Sequence, residues 1–129
     1  MTLFAALRAL LVLMGLGLVA FGSMWGFFPE PCMALTGIAA DDALSRNMLK
    51  TDMGGGLLGT GVLLVLSGLR GGTWTAATLV LVSFYLLVRA VSVVVDGPSA
   101  LALLGIAAEA TCAAVLLAVR RMEHRRVQA

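Results

Sequence analysis

Charged residues and histidine are scarce in this sequence. Only 12% of its 129 residues are charged, and His124 is the single histidine. Most catalytic iron, copper and zinc sites are built from histidine clusters, so we expect no metal site and no cofactor. The net charge is +2, and most of the excess arginine lies near the C-terminus, at Arg120, Arg121, Arg125 and Arg126. No basic face remains for nucleic acid, and the basic tail is better placed to meet anionic lipid headgroups.

Cysteine is also rare, and the two present are far apart in the expected fold. Cys32 lies in a connecting segment and Cys112 lies within the last apolar run. If that run begins near Ser99, Cys112 lies about 20 Å below the membrane surface at a rise of 1.5 Å per residue. A disulfide needs Cα atoms about 4.4–6.8 Å apart, so the sequence predicts two free thiols.

Long apolar runs are what the sequence has instead. The chain is 60% hydrophobic with a mean hydropathy of +1.02, against roughly 45–50% apolar residues in soluble domains. Runs of about 20 residues span a membrane core, which predicts an all-α integral membrane protein with a single transmembrane domain over residues 1–129. The predicted spans are 9–28, 47–69, 73–95 and 99–119, followed by a basic cytoplasmic tail over 120–129. The first run is too long for a signal peptide and Val19-Ala20-Phe21 is a poor cleavage site, so we expect it to be retained.

The connections predict how the spans are arranged. Two of them are very short, which favours antiparallel neighbours and an up-down-up-down four-helix bundle. In the longer connection, Pro29 and Pro31 end the first helix, and a short interfacial segment is expected before Asp41-Asp42, a pair suited to a helix N-terminus. Most arginine falls on the side of both termini, and only Arg46 and Lys50 fall on the other side. The positive-inside rule therefore predicts that both termini are cytoplasmic.

Glycines cluster near the start of the second predicted span. Gly55-x-x-x-Gly59 has the spacing of small residues that lets two membrane helices approach closely, so these two glycines are expected to mediate helix packing. A glycine-rich phosphate loop is the alternative. The sequence lacks its G-x-x-x-x-G-K-[ST] pattern, and the glycines lie inside an apolar run, which favours packing.

Ionisable residues inside the spans are the candidate functional residues. A lone charge in hydrocarbon costs at least about 2.5–3.5 kcal/mol on insertion scales, so each charge should meet a partner or a wet cavity. Helical rise places Asp52 and Arg89 roughly 8–10 Å from one membrane boundary and Glu109 roughly 15 Å from it. We expect Arg89 to pair with Glu109, or with Asp52 as the second choice. Residues on the same helical faces complete a predicted polar intramembrane cluster: Asp52, Arg89, Glu109, Tyr85, Ser92 and Asp96.

These motifs resemble a known family. Asn47-x-x-Lys50 runs into Gly54-Gly55, Arg89-x-x-Ser92 is followed by Asp96-Gly97-x-Ser99, and Glu109 lies in the last span. In these features the sequence is similar to the small bacterial four-helix membrane proteins classified as domain of unknown function 4345. The resemblance implies a multi-pass protein of the bacterial cytoplasmic (inner) membrane, and it implies no activity.

Three classes of function remain open. The leading hypothesis is a non-catalytic protein that binds a lipid or lipophilic molecule, or that packs as an accessory subunit of a larger membrane complex or homo-oligomer. An enzyme would use Glu109 as an acid or base, Arg89 to position an anion, and Tyr85 nearby. A proton or ion pathway would use Asp52, Arg89 and Glu109 as relay groups. The Arg89 pair has its own alternatives, a polar pocket or a purely structural contact that fixes packing.

Overall fold

Four long helices and one short helix make up the fold. The computed structural model describes residues 2–128, and its element order is α1 (Leu3–Phe27), α2 (Pro29–Thr36), α3 (Ala43–Arg70), α4 (Thr73–Asp96) and α5 (Ala100–Gln128). All but α2 are long and apolar enough to cross a membrane, giving 4 spans. The prediction of an all-α, multi-pass four-helix bundle is therefore confirmed. The last helix continues to Gln128, well past the predicted span end at residue 119.

Residue chemistry explains where the first helices begin and end. Pro29 stands at the first turn of α2, where a missing backbone donor costs nothing, so the two prolines both end α1 and start an eight-residue helix. Gly37 closes α2 with a φ of 71°, which suits glycine. The Asp42 side chain accepts a hydrogen bond of 2.7 Å from the Ser45 backbone N–H and so caps α3. The expected role of the Asp pair at a helix start is thus carried by Asp42.

The second predicted span is not a uniform α-helix. Within α3, the residues Ala43–Leu49 and Gly56–Arg70 are α-helical, and Lys50–Gly55 form a π-helical turn between them. A π turn advances the chain by an extra residue, so it rotates the residues before it relative to those after it. Asp52 lies in this turn.

The closest helix contact in the bundle joins α1 to α3 through glycine. A Cβ atom added at Gly61 would lie 2.7 Å from the carbonyl oxygen of Gly15, and one added at Gly22 would lie 2.6 Å from the backbone nitrogen of Leu58. A Cβ atom added at Gly54 would lie 2.8 Å from the backbone of Gly26. Residue numbers in these contacts increase along α1 while they decrease along α3, so the two helices are antiparallel.

Gly55 and Gly59 were predicted to mediate helix packing, but they do not pack against another helix of this chain. A Cβ atom at either position would have nothing within 4 Å. The glycines that contact α1 are Gly54, Gly61 and Gly68, which recur every seven residues on the opposite side of α3. Side chains there would collide with backbone, whereas Gly55 and Gly59 leave open space.

The main hydrophobic cluster lies toward one end of the bundle. We call the end that carries Leu3, Gln128 and the turn between α3 and α4 the terminal end, and the opposite end the loop end. The buried members of the cluster gather toward the terminal end, and these are Phe4, Leu11, Leu64, Val82, Cys112, Leu116 and Val119. Trp25, Cys32 and Ala40 are also buried, toward the loop end. No residue from Ser83 to Thr111 is buried. Toward the loop end, the α4–α5 hairpin therefore shares no core with the rest of the bundle. Both cysteines are free, as predicted, and both are buried.

Candidate functional site

An ion pair joins α4 to α5 within the predicted spans. Arg89 donates from Nε and Nη2 to the same Glu109 oxygen, Oε1, at 3.0 and 2.8 Å. The Glu109 side chain is 18% exposed and that of Arg89 is 39% exposed. The structure therefore brings together the pair that the sequence ranked first, and each charge offsets the other in an apolar setting.

A glycine on α5 makes room for this pair. A Cβ atom at Gly105 would lie 2.7 Å from both Cζ and Nε of Arg89, so the guanidinium lies directly against the α5 backbone. Gly105 precedes Glu109 by one helical turn, which puts both residues on the face that receives Arg89. The small residue thus fixes the path of the arginine toward the carboxylate.

The ion pair leaves some hydrogen-bonding groups of both side chains without a partner. Glu109 Oε2 is buried and has no hydrogen-bond partner among residues 2–128. Both donors of one guanidinium edge converge on Oε1, so the other edge of Arg89, on a side chain 39% exposed, is not occupied by Glu109. The exposed edge of Arg89 can therefore donate hydrogen bonds to another molecule, while Glu109 Oε2 is an acceptor that is buried without a partner.

The remaining members of the predicted polar cluster do not join this pair. Ser92 donates a hydrogen bond of 2.9 Å to Asp96 Oδ2 at the exposed end of α4. Asp52 is exposed and makes no salt bridge within the described part of the chain. Tyr85 faces α3, where its hydroxyl would lie 3.3 Å from a Cβ atom at Gly56. The predicted single polar pocket is therefore resolved into a pair, a helix-end contact and two separate side chains.

An open groove of about 540 Å³ lies between α3 and α4. Its wall on α4 carries Trp74, Leu81 and Tyr85. Its floor on α3 is made largely of glycine and aliphatic residues, namely Gly55, Gly56, Gly59, Thr60, Val62, Leu63 and Leu66. The absent side chains of Gly55 and Gly59 keep the floor low, since nothing lies within 4 Å of a Cβ atom at either position.

The groove has a polar end. Tyr85 lines it and Arg89 follows one turn farther toward the loop end of α4. On the facing helix, Asp52 lies about one turn beyond Gly56 in the same direction. The Thr60 hydroxyl is already satisfied by the Gly56 carbonyl at 2.8 Å. Polar groups available to another molecule therefore concentrate at one end of an otherwise apolar groove.

Sequence reasoning missed the groove residues Gly56, Thr60 and Trp74. Sequence reasoning also missed Gly105, which lies against the Arg89 guanidinium. Its one-turn spacing before Glu109 is the signal that identifies it. For the groove, the signal is a second set of glycines, Gly55 and Gly59, beside Gly54, Gly61 and Gly68, which recur every seven residues. The two sets lie on different faces of α3, so both cannot contact α1.

No metal-binding arrangement is present within residues 2–128, where no group of three or more His, Cys, Asp or Glu side chains lies close enough to hold an ion. The candidate site is thus an ion pair beside an apolar groove. Its chemistry is hydrogen bonding and apolar contact.

Comparison with known proteins places the chain in one family. No curated protein matches it, and no solved structure matches it. One family model matches residues 6–120, which covers all four spans apart from the ends of α1 and α5. The resemblance noted in the sequence is confirmed by this match. The chain belongs to the family described as Domain of unknown function (DUF4345).

Proposed function

We propose that this protein is a non-catalytic binding protein of the bacterial cytoplasmic membrane that holds a lipid or lipophilic molecule in the groove between α3 and α4. The groove volume of about 540 Å³ falls within the roughly 300–1,000 Å³ of small-molecule sites. Such sites are mostly apolar with a few polar groups that set orientation. This groove has that composition.

The observation that carries the proposal is the open glycine floor. Gly55 and Gly59 take no part in packing α3 against α1, which uses Gly54, Gly61 and Gly68 instead. Glycine in a helix interior costs about 0.5–1 kcal/mol relative to alanine, so glycine at two open positions needs another reason. Space for a bound molecule supplies that reason.

The polar end indicates an amphipathic ligand. An apolar body would lie along Gly55, Gly59 and Leu63, and a polar group would meet Tyr85. Arg89 and Asp52, one turn farther out, offer a donor and an acceptor to a larger head. Because Arg89 is already partnered by Glu109, it offers hydrogen bonds without adding an uncompensated charge, whereas Asp52 makes no salt bridge within residues 2–128.

Filling the groove tests the proposal. Gly59→Leu places a side chain in the open floor, while Gly17→Leu adds the same side chain at an α1 position that also has nothing within 4 Å. We expect wild type and Gly17→Leu to retain a lipophilic molecule that mass spectrometry of a solvent extract detects in stoichiometric amount. Gly59→Leu should retain at least tenfold less. Equal retention in all three proteins, or no retained molecule in wild type, would refute binding in this groove.

A partner helix is the second candidate occupant, and the spacing Gly55-x-x-x-Gly59 favours it. Small residues four apart on an open face allow close helix approach, so an accessory-subunit role or a homo-oligomer would use the same groove. Val62 lines the groove and is 43% exposed. In Val62→Cys, a disulfide-linked dimer or a cross-link to another membrane protein would favour this second function. A monomer with retained lipid would favour the first.

A further inference from the structure

The terminal end of α5 continues beyond the apolar part of the helix. Val119 is fully buried, and the helix then runs on to Gln128 with Arg120, Arg121, Arg125 and Arg126. At 1.5 Å per residue, Arg121 and Arg125 lie roughly 3 and 9 Å beyond Val119. The headgroup layer on each side of a bilayer is about 5–8 Å thick, so with Val119 at the hydrocarbon boundary Arg121 lies within this layer and Arg125 at its outer edge.

Specific contacts hold this extension against the bundle. Glu123 Oε1 accepts hydrogen bonds from the Gly72 N–H at 3.1 Å and from the Thr75 hydroxyl at 3.3 Å, at the start of α4. Arg120 donates to the Gly72 carbonyl at 3.0 Å. The Arg126 guanidinium lies 4.0 Å from the centre of the Phe4 ring. The extension is thus a fixed part of the fold.

These contacts divide the four arginines into two pairs. Arg120 and Arg126 are bound to the protein, whereas Arg121 and Arg125 are exposed and make no hydrogen bond or salt bridge with any residue from 2 to 128. The one carboxylate of the segment, Glu123, is directed to α4. Arg121 and Arg125 are four residues apart and therefore lie side by side on one helix face.

We propose that Arg121 and Arg125 form a binding site for the headgroup of an anionic phospholipid. Two neighbouring guanidinium groups offer bidentate hydrogen bonds to phosphate, and no carboxylate among residues 2–128 forms a salt bridge with either of them. A zwitterionic lipid brings its own cation to the same place, so the site should prefer a headgroup with net negative charge. This site lies at the opposite end of the fold from the polar end of the groove and does not depend on it.

Removing both arginines tests the site. The full chain is purified in detergent, and the retained phosphatidylglycerol is measured relative to phosphatidylcholine from an equimolar mixture, at low and at high salt. We expect wild type to prefer phosphatidylglycerol, roughly fivefold for each arginine at low salt, with the preference reduced at high salt. Arg121→Gln/Arg125→Gln should lose that preference and keep the thermal stability of wild type.

The chain provides a matched control. Arg46 and Lys50 are also exposed and four residues apart, but they lie at the loop end. Arg46→Gln/Lys50→Gln removes the same charge and should leave the preference at the wild-type value. An equal loss in both double variants would show attraction by net charge alone and overturn the proposal, as would an unchanged preference in Arg121→Gln/Arg125→Gln. Gly59→Leu should not alter this preference, which separates failure here from failure of the groove.

Discussion

At the scale of single residues, Arg89 and Glu109 depend on each other and on Gly105. Two charges inside predicted membrane spans are tolerated because they lie 2.8 Å apart, and Gly105 gives the arginine its path. Removing either partner would leave the other uncompensated, at a cost of about 2.5–3.5 kcal/mol on insertion scales. Removing both leaves an apolar contact of the kind that often replaces ion pairs with little loss.

The pair therefore predicts non-additive losses of stability. Arg89→Leu and Glu109→Leu should each lower the unfolding free energy by about 2.5–3.5 kcal/mol. The double variant should lose much less than either single variant. Unfolding in mixed detergent micelles, followed by circular dichroism, measures the cycle. Additive losses would mean that the two side chains do not interact in the membrane.

The same residues show what the sequence could predict. Depth along a helix and the cost of an unpaired charge were enough to place Arg89 near Glu109. They were not enough to exclude Asp52, because depth does not determine which face of a helix a residue occupies. The π turn at Lys50–Gly55 alters that face, and a sequence pattern with a period of 3.6 residues does not reveal it.

At the scale of elements, α3 uses two glycine faces for two purposes. Gly61 contacts the backbone of α1, where a Cβ atom would lie 2.7 Å from the Gly15 oxygen and the Val19 nitrogen, and Gly59 faces open space. The same substitution should therefore have opposite effects at the two positions. Gly61→Ala forces the helices apart, and Gly59→Ala only removes the conformational freedom of glycine.

We expect Gly61→Ala to lose about 1–3 kcal/mol of stability through overpacking. Gly59→Ala should be neutral or gain up to about 0.5–1 kcal/mol. Thermal unfolding of both variants in one detergent measures the contrast. A loss at Gly59 equal to that at Gly61 would place Gly59 in a helix contact and remove the open floor of the groove.

The choice of Gly55 and Gly59 as packing residues failed for an identifiable reason. Three consecutive glycines at 54–56 offer every face of the helix, and the four-residue spacing alone does not select one. The discriminating signal lies in the partner: Gly15 and Gly22 on α1 are seven apart, as are Gly54, Gly61 and Gly68 on α3. Matching periods in two helices identify a contact that a single motif does not.

The cap of α3 gives a prediction for pH. The hydrogen bond from the Ser45 backbone N–H lowers the pKa of Asp42 below its ordinary value of 3.8. The cap therefore stabilises α3 fully above pH 3.8, and this contribution is lost as the pH falls through the lower folded-state pKa. Hydrogen exchange at the Ser45 amide should accelerate there, relative to the intrinsic rate, in wild type. Asp42→Asn keeps a capping oxygen that does not titrate, so it should show no such acceleration. Identical pH profiles would contradict the cap.

At the scale of the whole molecule, the absence of buried residues from the loop-end half of the α4–α5 hairpin has a physical cause. In hydrocarbon, apolar side chains gain nothing from burial against one another, because lipid is an equally good solvent. The bundle is held where glycine contacts and polar groups act, such as the buried Ser67–Thr78 hydrogen bond of 2.8 Å and the Glu123 contacts with α4. The spans and their order followed from hydropathy, but the loop-end half of the α4–α5 hairpin did not, because hydropathy does not distinguish an apolar side chain that meets another helix from one that meets lipid.

The distribution of arginine predicts the orientation of the whole protein. Arg8, Arg70 and the α5 arginines all lie at the terminal end, so that end should face the cytoplasm. A phosphatase fused after Val127 should be inactive in the periplasmic assay, and a fluorescent protein at the same position should fold and emit. An active phosphatase there would reverse the orientation and move the polar end of the groove to the cytoplasmic side.

The central claim is that the groove between α3 and α4 holds a lipophilic molecule. An experimental structure determined in native-lipid particles tests it most directly. We predict continuous elongated density along Gly55, Gly56 and Gly59, with its polar end near Tyr85. A groove closed by α4, or filled by a helix of another chain, would contradict it.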